Sequence, residues 1–332
     1  GVTVHRLPPR RVRPQEAKLL LRSLDVDRAL RRLGRLDLVQ CCEWEGEASL
    51  FSLHPTAPLV TRLATPGYVV DRLNGASPRE RRRSLVVDAL ERWQTRHSSR
   101  VICPSLALAR TVARDWGLAE GEVTIVPTGI DVEAAARVRP LAPPCGEAPY
   151  LFYFGRLEAR KGTQDLLDAL PCLLDRHRYL HAVFCGDDLG LEGEPFAEYG
   201  RRRCGASAHR LHFMGRRPHA EVQGLLRGAR VVALPSRWES LANAGLEAMA
   251  MGQAIVTTSG SGFAEIIRDG EEGLLVPPGE PGALGTAIDR LLADPALAAR
   301  LGAGARRRAQ AYDLPRMAEL LEQVLTEAAG AR

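Results

Sequence analysis

The chain has 332 residues, of which 45% are hydrophobic and 26% are charged, and its formal net charge is +5 at pH 7. This length exceeds what one hydrophobic core usually supports and predicts two domains. The composition is that of a globular protein, and because no run of about eighteen apolar residues occurs, no membrane-spanning helix is expected.

The cysteines and the distribution of charge indicate which kinds of site and partner the protein could have. The seven cysteines are odd in number and never form a C-x-x-C pair, which argues against a disulfide framework or a zinc site and favours a cytoplasmic protein. Residues 1–149 carry 23 Arg plus Lys against 17 Asp plus Glu, whereas the remainder carries 22 against 23. The basic half is either an arginine-rich solvated surface or a surface for an anionic acceptor or a membrane periphery. Its basic stretches carry few aromatic residues, which argues against nucleic acid as a partner.

Apolar runs of strand length alternate with helical patterns along most of the chain, which is typical of parallel sheets with crossover helices. Residues 1–136 are predicted to form a first domain, with helices over about 78–96 and 106–116. No glycine-rich strand–turn–helix opens this domain, so we expect it to be incomplete at its start. Its predicted strands are residues 2–7, 36–42, 59–64, 100–103 and 123–127.

Residues 137–149 are rich in proline and small residues and are interpreted as the linker between domains. Residues 150–312 are predicted to form a complete doubly wound α/β domain. Residues 313–332 contain a C-terminal helix. The predicted strands of the second domain are residues 151–155, 180–186, 211–215, 231–234, 254–257 and 274–276.

Two cations follow the first predicted strand of the second domain. Arg156 comes directly after Gly155, and Lys161 precedes a second glycine. An arginine can grip phosphate oxygens with two parallel hydrogen bonds, and a lysine adds a compact charge. Only Lys18 and Lys161 are lysines in this chain, so the use of a lysine beside a glycine at a strand end indicates a specific role. The segment predicts a site for an anion.

Two carboxylates follow a later strand. Glu239 closes the turn after the strand 231–234, and Glu247 lies eight residues further on, in the next predicted helix. An ionised carboxylate only accepts hydrogen bonds, which suits ribose hydroxyls at Glu247 and pyranose hydroxyls at Glu239. Between them, the backbone N–H groups of Leu241, Ala242, Asn243 and Ala244 would start a helix and could cradle an anion. The pattern suits a ligand with hydroxyls at both ends and a diphosphate between them.

At these residues the chain resembles the retaining glycosyltransferases of family 4. The resemblance extends over residues 150–312 and includes the motifs at 260–270 and 273–279. It implies two Rossmann-like, doubly wound parallel-sheet domains of the GT-B type, facing each other across a cleft, and a C-terminal helix that packs back on the first domain. It also implies that Arg156 and Lys161 bind the diphosphate of a nucleotide sugar, that Glu247 binds the ribose and that Glu239 faces the sugar.

The resemblance assigns further residues. Arg216 follows the strand 211–215, near the place where the family's nucleobase docks. No cofactor and no metal are implied, because the family generally works without a divalent cation. Asp187 and Asp188, which follow the strand 180–186, are accordingly interpreted as turn residues. The acceptor is a glycan, a lipid or a small molecule with a free hydroxyl. The acceptor-side candidates lie at strand ends of the first domain and are Glu43, Arg62, Ala64, Thr65 and Tyr68, with packing and loop roles as the alternative.

One departure from the family pattern concerns Ala64. It stands where the family commonly carries a histidine that faces the reaction centre. The sequence therefore leaves three interpretations open: an active retaining glycosyltransferase, a catalytically weak or inactive protein that binds a nucleotide sugar, or another activity on the same fold, such as a phosphorylase or an epimerase.

Overall fold

The computed structural model describes residues 2–7, 15–75, 78–119 and 121–330. The chain divides into two compact units: one holds the residues up to Pro127 together with those from Ala318, and the other is Thr128–Met317. This division falls before the stretch interpreted as a linker. Residues 137–149 group with the second unit, where the amide of Leu141 donates to the carbonyl of Gly224 at 3.0 Å.

The first unit contains a parallel four-stranded sheet in the order β1-β2-β3-β4. The faces of a strand alternate, and Leu59 and Val60 accordingly enter two different apolar clusters on the two sides of the sheet. The strands are β1 (Val39–Cys42), β2 (Leu59–Arg62), β3 (Arg100–Cys103) and β4 (Val123–Ile125), and the helices are α1 (Gln15–Arg32), α2 (Gly67–Asn74), α3 (Pro78–Arg96) and α4 (Leu106–Trp116).

The strand predicted at residues 2–7 is wrong. The segment has no regular secondary structure, and Val2 and Val4 are 93% and 74% exposed. Alternating apolar residues form a strand only when a neighbouring strand supplies hydrogen-bond partners and buries one face. Within the described residues, β1 pairs only with β2, so residues 2–7 gain neither.

The second unit contains a parallel six-stranded sheet in the order β10-β9-β8-β5-β6-β7. Its strands are β5 (Tyr150–Phe154), β6 (His181–Cys185), β7 (Leu211–Phe213), β8 (Val231–Leu234), β9 (Ile255–Thr258) and β10 (Leu274–Val276). Its helices are α5 (Val132–Arg137), α6 (Thr163–Arg176), α7 (Phe196–Cys204), α8 (His219–Gly228), α9 (Asn243–Ala250), α10 (Phe263–Ile266), α11 (Pro281–Ala293) and α12 (Pro295–Ala309).

The order of these strands reverses at β5. From β5 the chain first builds outward through β6 and β7 and later returns to place β8 on the other side of β5. All five residues of β5 are buried, as expected for a strand with helices on both faces of its sheet. In open α/β sheets a ligand binds at the carboxyl ends of the strands at such a reversal, here beyond Phe154 and Leu234.

Helix α13 (Leu314–Gly330) begins in the second unit, and from Ala318 its residues belong to the first. There Val324 and Ala328 are buried in one cluster with Val60, Ile102 and Val126. The C-terminal helix thus contributes apolar side chains to the core of the first unit. None of the helices in the described ranges is long and apolar enough to span a bilayer.

Candidate active site

The segment that carries Lys161 follows the carboxyl end of β5 and lies against the carboxyl end of β8. Gly155 follows β5, and its amide donates to the carbonyl of Cys185 at 2.9 Å. A short 3-10 turn then leads to Gly162, whose φ of 65° favours glycine. A Cβ on Gly162 would lie 1.9 Å from the carbonyl oxygen of Pro235, just beyond β8. Glycine at this position therefore lets the Lys161 segment lie against the end of β8.

The side chain of Glu239 has three polar partners at the carboxyl end of β8. The residue is 6% exposed, and its Oε1 accepts a hydrogen bond from the hydroxyl of Ser236 at 2.9 Å and an ion pair from Lys161. The Nη1 atom of Arg160 lies 3.6 Å from Oε2. The backbone carbonyl of Glu239 accepts the amide of Gly262 at 3.0 Å, which fixes the turn. The carboxylate is therefore held between two cations and a hydroxyl.

A cavity of about 210 Å³ opens over Glu239 and Lys161. One wall is formed by the ends of β5 and β8, including Phe154 and Leu234, and another by the start of α9 with Leu241, Ala242, Asn243 and Ala244. The intrahelical bonds of α9 begin with the amides of Gly245 and Leu246, which donate to the carbonyl of Ala242. The positive end of the helix dipole thus faces a cavity that also contains an ammonium group, and this arrangement favours an anionic ligand.

Arg156 also lies at the carboxyl end of β5, but its side chain is more exposed to solvent than that of Lys161. Its side chain is 51% exposed, and Nη2 lies 3.3 Å from Oε1 of Glu158. Glu158 is itself 3% exposed and accepts a hydrogen bond from Nη2 of Arg160 at 2.7 Å. Two acidic and three basic side chains therefore form one connected cluster beside and beneath the cavity, which leaves one net positive charge.

Glu247 lies one turn into α9. Its side chain is 17% exposed, and Oε2 is 3.1 Å from Nε2 of His219, the first residue of α8. Burial raises the pKa of Glu247 above its ordinary value, while His219 acts in the opposite direction. The sequence analysis did not identify His219. His219 can be recognised in the sequence as a histidine at the start of the helix after β7. The sequence does not show, however, that the start of α8 lies beside α9.

Arg216 is not brought to the cavity. It is exposed in the loop after β7, the outermost strand, and it is not among the residues that line the cavity. Its neighbour Arg217 donates from Nε to the carbonyl of Met214 at 3.1 Å. Contact between Arg216 and a nucleobase stays a prediction.

Asp188 has a structural role that agrees with the turn interpretation. Its Oδ1 accepts the amides of Gly190 and Phe196, and its Oδ2 accepts the amide of Ala197, each at 3.0 Å. The carboxylate therefore satisfies backbone donors at the start of α7. In the part of the chain that the structure describes, no group of three His, Cys, Asp or Glu side chains is arranged to hold a metal ion.

In the first unit, two buried glutamates hold the loop between β2 and α2. Both carboxylate oxygens of Glu43, which is fully buried, lie 2.9 Å from the amide of Ala64. Glu91, also fully buried, accepts the amides of Glu45 and Gly67 at 3.0 Å each. Burial raises the pKa of Glu43, and it raises the pKa of Glu91 to about 8. Both carboxylates are therefore bonded to loop backbone.

The other acceptor-side candidates surround this loop. Thr65 is half-buried, and its amide interacts with Glu43. Nη2 of Arg62 lies 3.5 Å from the carbonyl of Val126, and the hydroxyl of Tyr68 donates to Asp115 at 2.9 Å. Ala64 is exposed. Packing and loop roles thus account for the contacts of Glu43 and Tyr68, whereas Ala64 and Thr65 lie at the loop surface.

Two family profiles match this chain. Residues 1–134 match the family described as Glycosyltransferase Family 4, and residues 148–294 match the family described as Glycosyl transferases group 1. Glycogen synthase of Mycobacterium tuberculosis is 30% identical over 299 residues, which are 88% of this chain and 68% of that protein.

Solved structures share the fold at lower identity. Sucrose-phosphate synthase from Thermosynechococcus elongatus superposes with a TM-score of 0.78 at 23% identity, over 96% of this chain and 80% of that one. HepE of Anabaena, solved in complex with UDP-glucose, gives a TM-score of 0.74 at 21% identity, over 92% of this chain and 82% of that one.

The two parallel-sheet α/β units, with a site at the strand reversal of the second, define a GT-B fold. The sequence matches specify the family within that fold: the chain belongs to the family 4 glycosyltransferases.

Proposed function

We propose that this glycosyltransferase transfers a sugar from a nucleoside diphosphate sugar to an acceptor hydroxyl with retention of configuration and without a metal ion. The observation that carries the proposal is the cavity at the ends of β5 and β8, where Lys161, Glu239 and the start of α9 converge. HepE, solved with UDP-glucose, shares the fold and supports a donor of this class.

In this proposal the diphosphate binds among Lys161, Arg156 and the first amides of α9. Lys161 already lines the cavity, and Arg156 is exposed enough to turn towards a ligand. As the diphosphate departs, negative charge grows on its oxygens, and fixed cations and amide dipoles stabilise that charge more in the transition state than in the ground state. The chain's own groups would thereby supply the positive charge that the leaving group needs.

The two carboxylates would bind the two ends of the donor. Glu239 lines the cavity and would accept hydrogen bonds from hydroxyls of the transferred sugar. Glu247 would accept hydrogen bonds from the ribose, with His219 orienting its carboxylate. The side chains proposed to contact the reacting part of the donor are therefore Glu239, Arg156 and Lys161.

The proposed reaction is a displacement on one face of the sugar. The bond between the anomeric carbon and the diphosphate oxygen breaks, and its electron pair stays on that oxygen. The acceptor oxygen bonds to the same face of the carbon, and the acceptor proton passes to a departing phosphate oxygen. The acceptor would be a glycan, a lipid or a small molecule with a free hydroxyl, and the loop with Ala64 and Thr65 is the proposed acceptor-side contact. Contact of the basic first unit with an anionic membrane surface is part of the same proposal.

A second candidate function is nucleotide-sugar binding with weak or no turnover. The observation that favours it is Ala64, an exposed small residue where the family commonly has a histidine. Both functions require donor binding, and only the first requires product.

The test is a screen of UDP, GDP, ADP and TDP for binding by calorimetry, followed by incubation with the matching nucleotide sugars in the presence of a metal chelator. Proton NMR of the anomeric position then reads the configuration of released or transferred sugar. Product with the donor's configuration in the presence of chelator supports the proposal. Inverted product overturns retention, activity only with added metal overturns metal independence, and binding without product favours the second candidate.

A further inference from the structure

Arg160 lies beneath the cavity and contacts both buried carboxylates of the cluster. It is 4% exposed; its Nη2 donates to Glu158 at 2.7 Å, and its Nη1 lies 3.6 Å from Oε2 of Glu239. Nη1 also donates to the carbonyl of Trp238 at 3.3 Å, so the planar guanidinium is fixed on several sides. Glu239 therefore has a cation at each oxygen: Lys161 at Oε1 and Arg160 at Oε2.

Lys161 has two competing partners under the proposed function. In this structure its ammonium group pairs with Glu239, and during the reaction it would bind the diphosphate. When Lys161 turns to the diphosphate, Glu239 stays buried and loses the cation at Oε1. A buried carboxylate without a counter-ion is strongly unfavourable, so this exchange needs a second cation that stays in place. Arg160 is buried at the other oxygen and meets that requirement.

On the basis of the proposed function, we propose that Arg160 is a positioning residue that releases Lys161 for the donor. Arg160 keeps Glu239 paired and oriented while Lys161 exchanges Glu239 for the diphosphate. The exchange also leaves Oε1 open to a sugar hydroxyl, with the hydroxyl of Ser236 still bonded to it. Recognition of the sugar and recognition of the diphosphate are thereby coupled through one carboxylate.

The chain offers a matched control in Arg237. Its Nε and Nη2 donate to the two oxygens of Asp165 at 3.0 and 2.8 Å, and Asp165 is 4% exposed. Arg237 is thus also an arginine paired with a buried carboxylate near the same strand end, but its carboxylate partner is not Glu239. Arg237→Gln therefore removes an arginine–carboxylate pair, as Arg160→Gln does, but it leaves both cations of Glu239 in place. It controls for the general effect of losing such a pair.

The experiment is a double-mutant cycle on binding of the nucleoside diphosphate, chosen as the tightest of UDP, GDP, ADP and TDP for the unaltered chain and measured by calorimetry. Glu239→Gln removes the charge that competes for Lys161 and is expected to tighten binding about threefold. Arg160→Gln is expected to weaken binding about tenfold, because Lys161 must then stay with Glu239. Combining the two substitutions is expected to return the affinity to that of Glu239→Gln, because no buried carboxylate then needs Lys161.

Thermal unfolding of each variant separates these effects from damage to the fold. Arg160→Lys is expected to restore most of the affinity, and Arg237→Gln is expected to leave it within about twofold of the unaltered chain. If Arg160→Gln does not fold, the same cycle is run with Arg160→Met, which also removes the positive charge. Equal weakening by Arg160→Gln with and without Glu239→Gln, or unchanged binding in Glu239→Gln, would overturn the inference. If the unaltered chain binds none of the four diphosphates, the proposed function fails, and this inference fails with it.

Discussion

Glutamates are buried in both units of the molecule, but against different partners. In the first unit, Glu43 accepts a hydrogen bond from the backbone amide of Ala64, and Glu91 accepts the amides of Glu45 and Gly67. In the second unit, Glu158 and Glu239 pair with cations, one of which, Lys161, lines a cavity. Amide partners are fixed in the backbone, whereas a lysine can exchange one anion for another. Burial alone therefore does not distinguish Glu239, which is proposed to face the ligand, from Glu43; the difference is that a flexible cation is a partner of Glu239, whereas a backbone amide is a partner of Glu43.

The sharpest way to break this comparison is to remove the exchangeable cation. Lys161→Met is expected to lower turnover by about 10²–10³-fold, because the positive charge that would stabilise the leaving group is lost. Nucleoside diphosphate affinity is expected to fall by about 1.5–3 kcal/mol. The control is Lys18→Met, which changes the chain's other lysine on an exposed position of α1. Similar turnover in the two variants, with both folded, would remove Lys161 from the site.

The second prediction concerns the pH dependence of stability that the buried, amide-bonded Glu91 causes in the first unit. The pKa of Glu91 is raised from its ordinary 4.5 to about 8 in the folded chain. Between these values the folded state keeps a proton that the unfolded state releases. The contribution of Glu91 to the free energy of unfolding should therefore be fully present below pH 4.5 and should fall as pH rises towards 8, by up to about 1.4 kcal/mol per pH unit. Glu91→Gln should flatten this slope.

Urea unfolding followed by tryptophan fluorescence measures this effect. Trp44, Trp93 and Trp116 lie in the first unit, so the signal reports mainly on the unit that contains Glu91. Parallel pH dependences for Glu91→Gln and the unaltered chain would show that the carboxylate does not hold its proton through this range.

The third prediction separates the roles proposed for Glu239 and Glu247 in the second unit. Glu247→Ala is expected to weaken binding of a nucleoside diphosphate about tenfold, because a charged acceptor for the ribose is lost. Binding of inorganic pyrophosphate, which has no ribose, should not change. Calorimetry with both ligands tests this, and equal losses for the two would instead place Glu247 at the diphosphate.

The smallest expected effect returns to the loop of the first unit. Ala64 is exposed, and its amide is held by Glu43, so a histidine side chain at this position meets open space on a fixed backbone. Ala64→His is expected to raise turnover severalfold, since a positioned imidazole can contribute to catalysis. Product formation with the matching donor is the measurement, and Ala64→Gln is the control for size and polarity. No gain, or an equal gain in both variants, would contradict a specific role for the imidazole.

Much of the second unit could be predicted from its sequence, because buried parallel strands appear as continuous apolar runs and the ends of those runs locate Arg156, Lys161 and Glu239. The partners of these residues could not be predicted. Ser236 bonds to Glu239 within the turn after β8, but Arg160 meets Glu239, and His219 meets Glu247, only because elements distant in sequence become neighbours in the folded unit.

The first unit was harder to predict for local reasons. Helix α2 begins after Pro66 without a capping side chain, so the sequence contains no start signal for it. The buried positions of Glu43 and Glu91 contradict the usual preference of glutamate for solvent. Their amide partners, which compensate for the burial, lie in the separate segments after β1 and after β2 and leave no pattern in the sequence.

The path of α13 has a consequence for the order of folding. Val324 and Ala328 of α13 are buried in an apolar cluster with Val60, Ile102 and Val126, and Leu38, Leu320, Leu321 and Leu325 pack against it. During synthesis Val324 and Ala328 emerge only after the whole second unit, so the ribosome releases the residues of the first unit long before their core can close. The second unit, whose residues are contiguous, can fold while the chain is still growing. We therefore expect the first unit, although its first 127 residues are synthesised earlier, to complete its folding after the second unit.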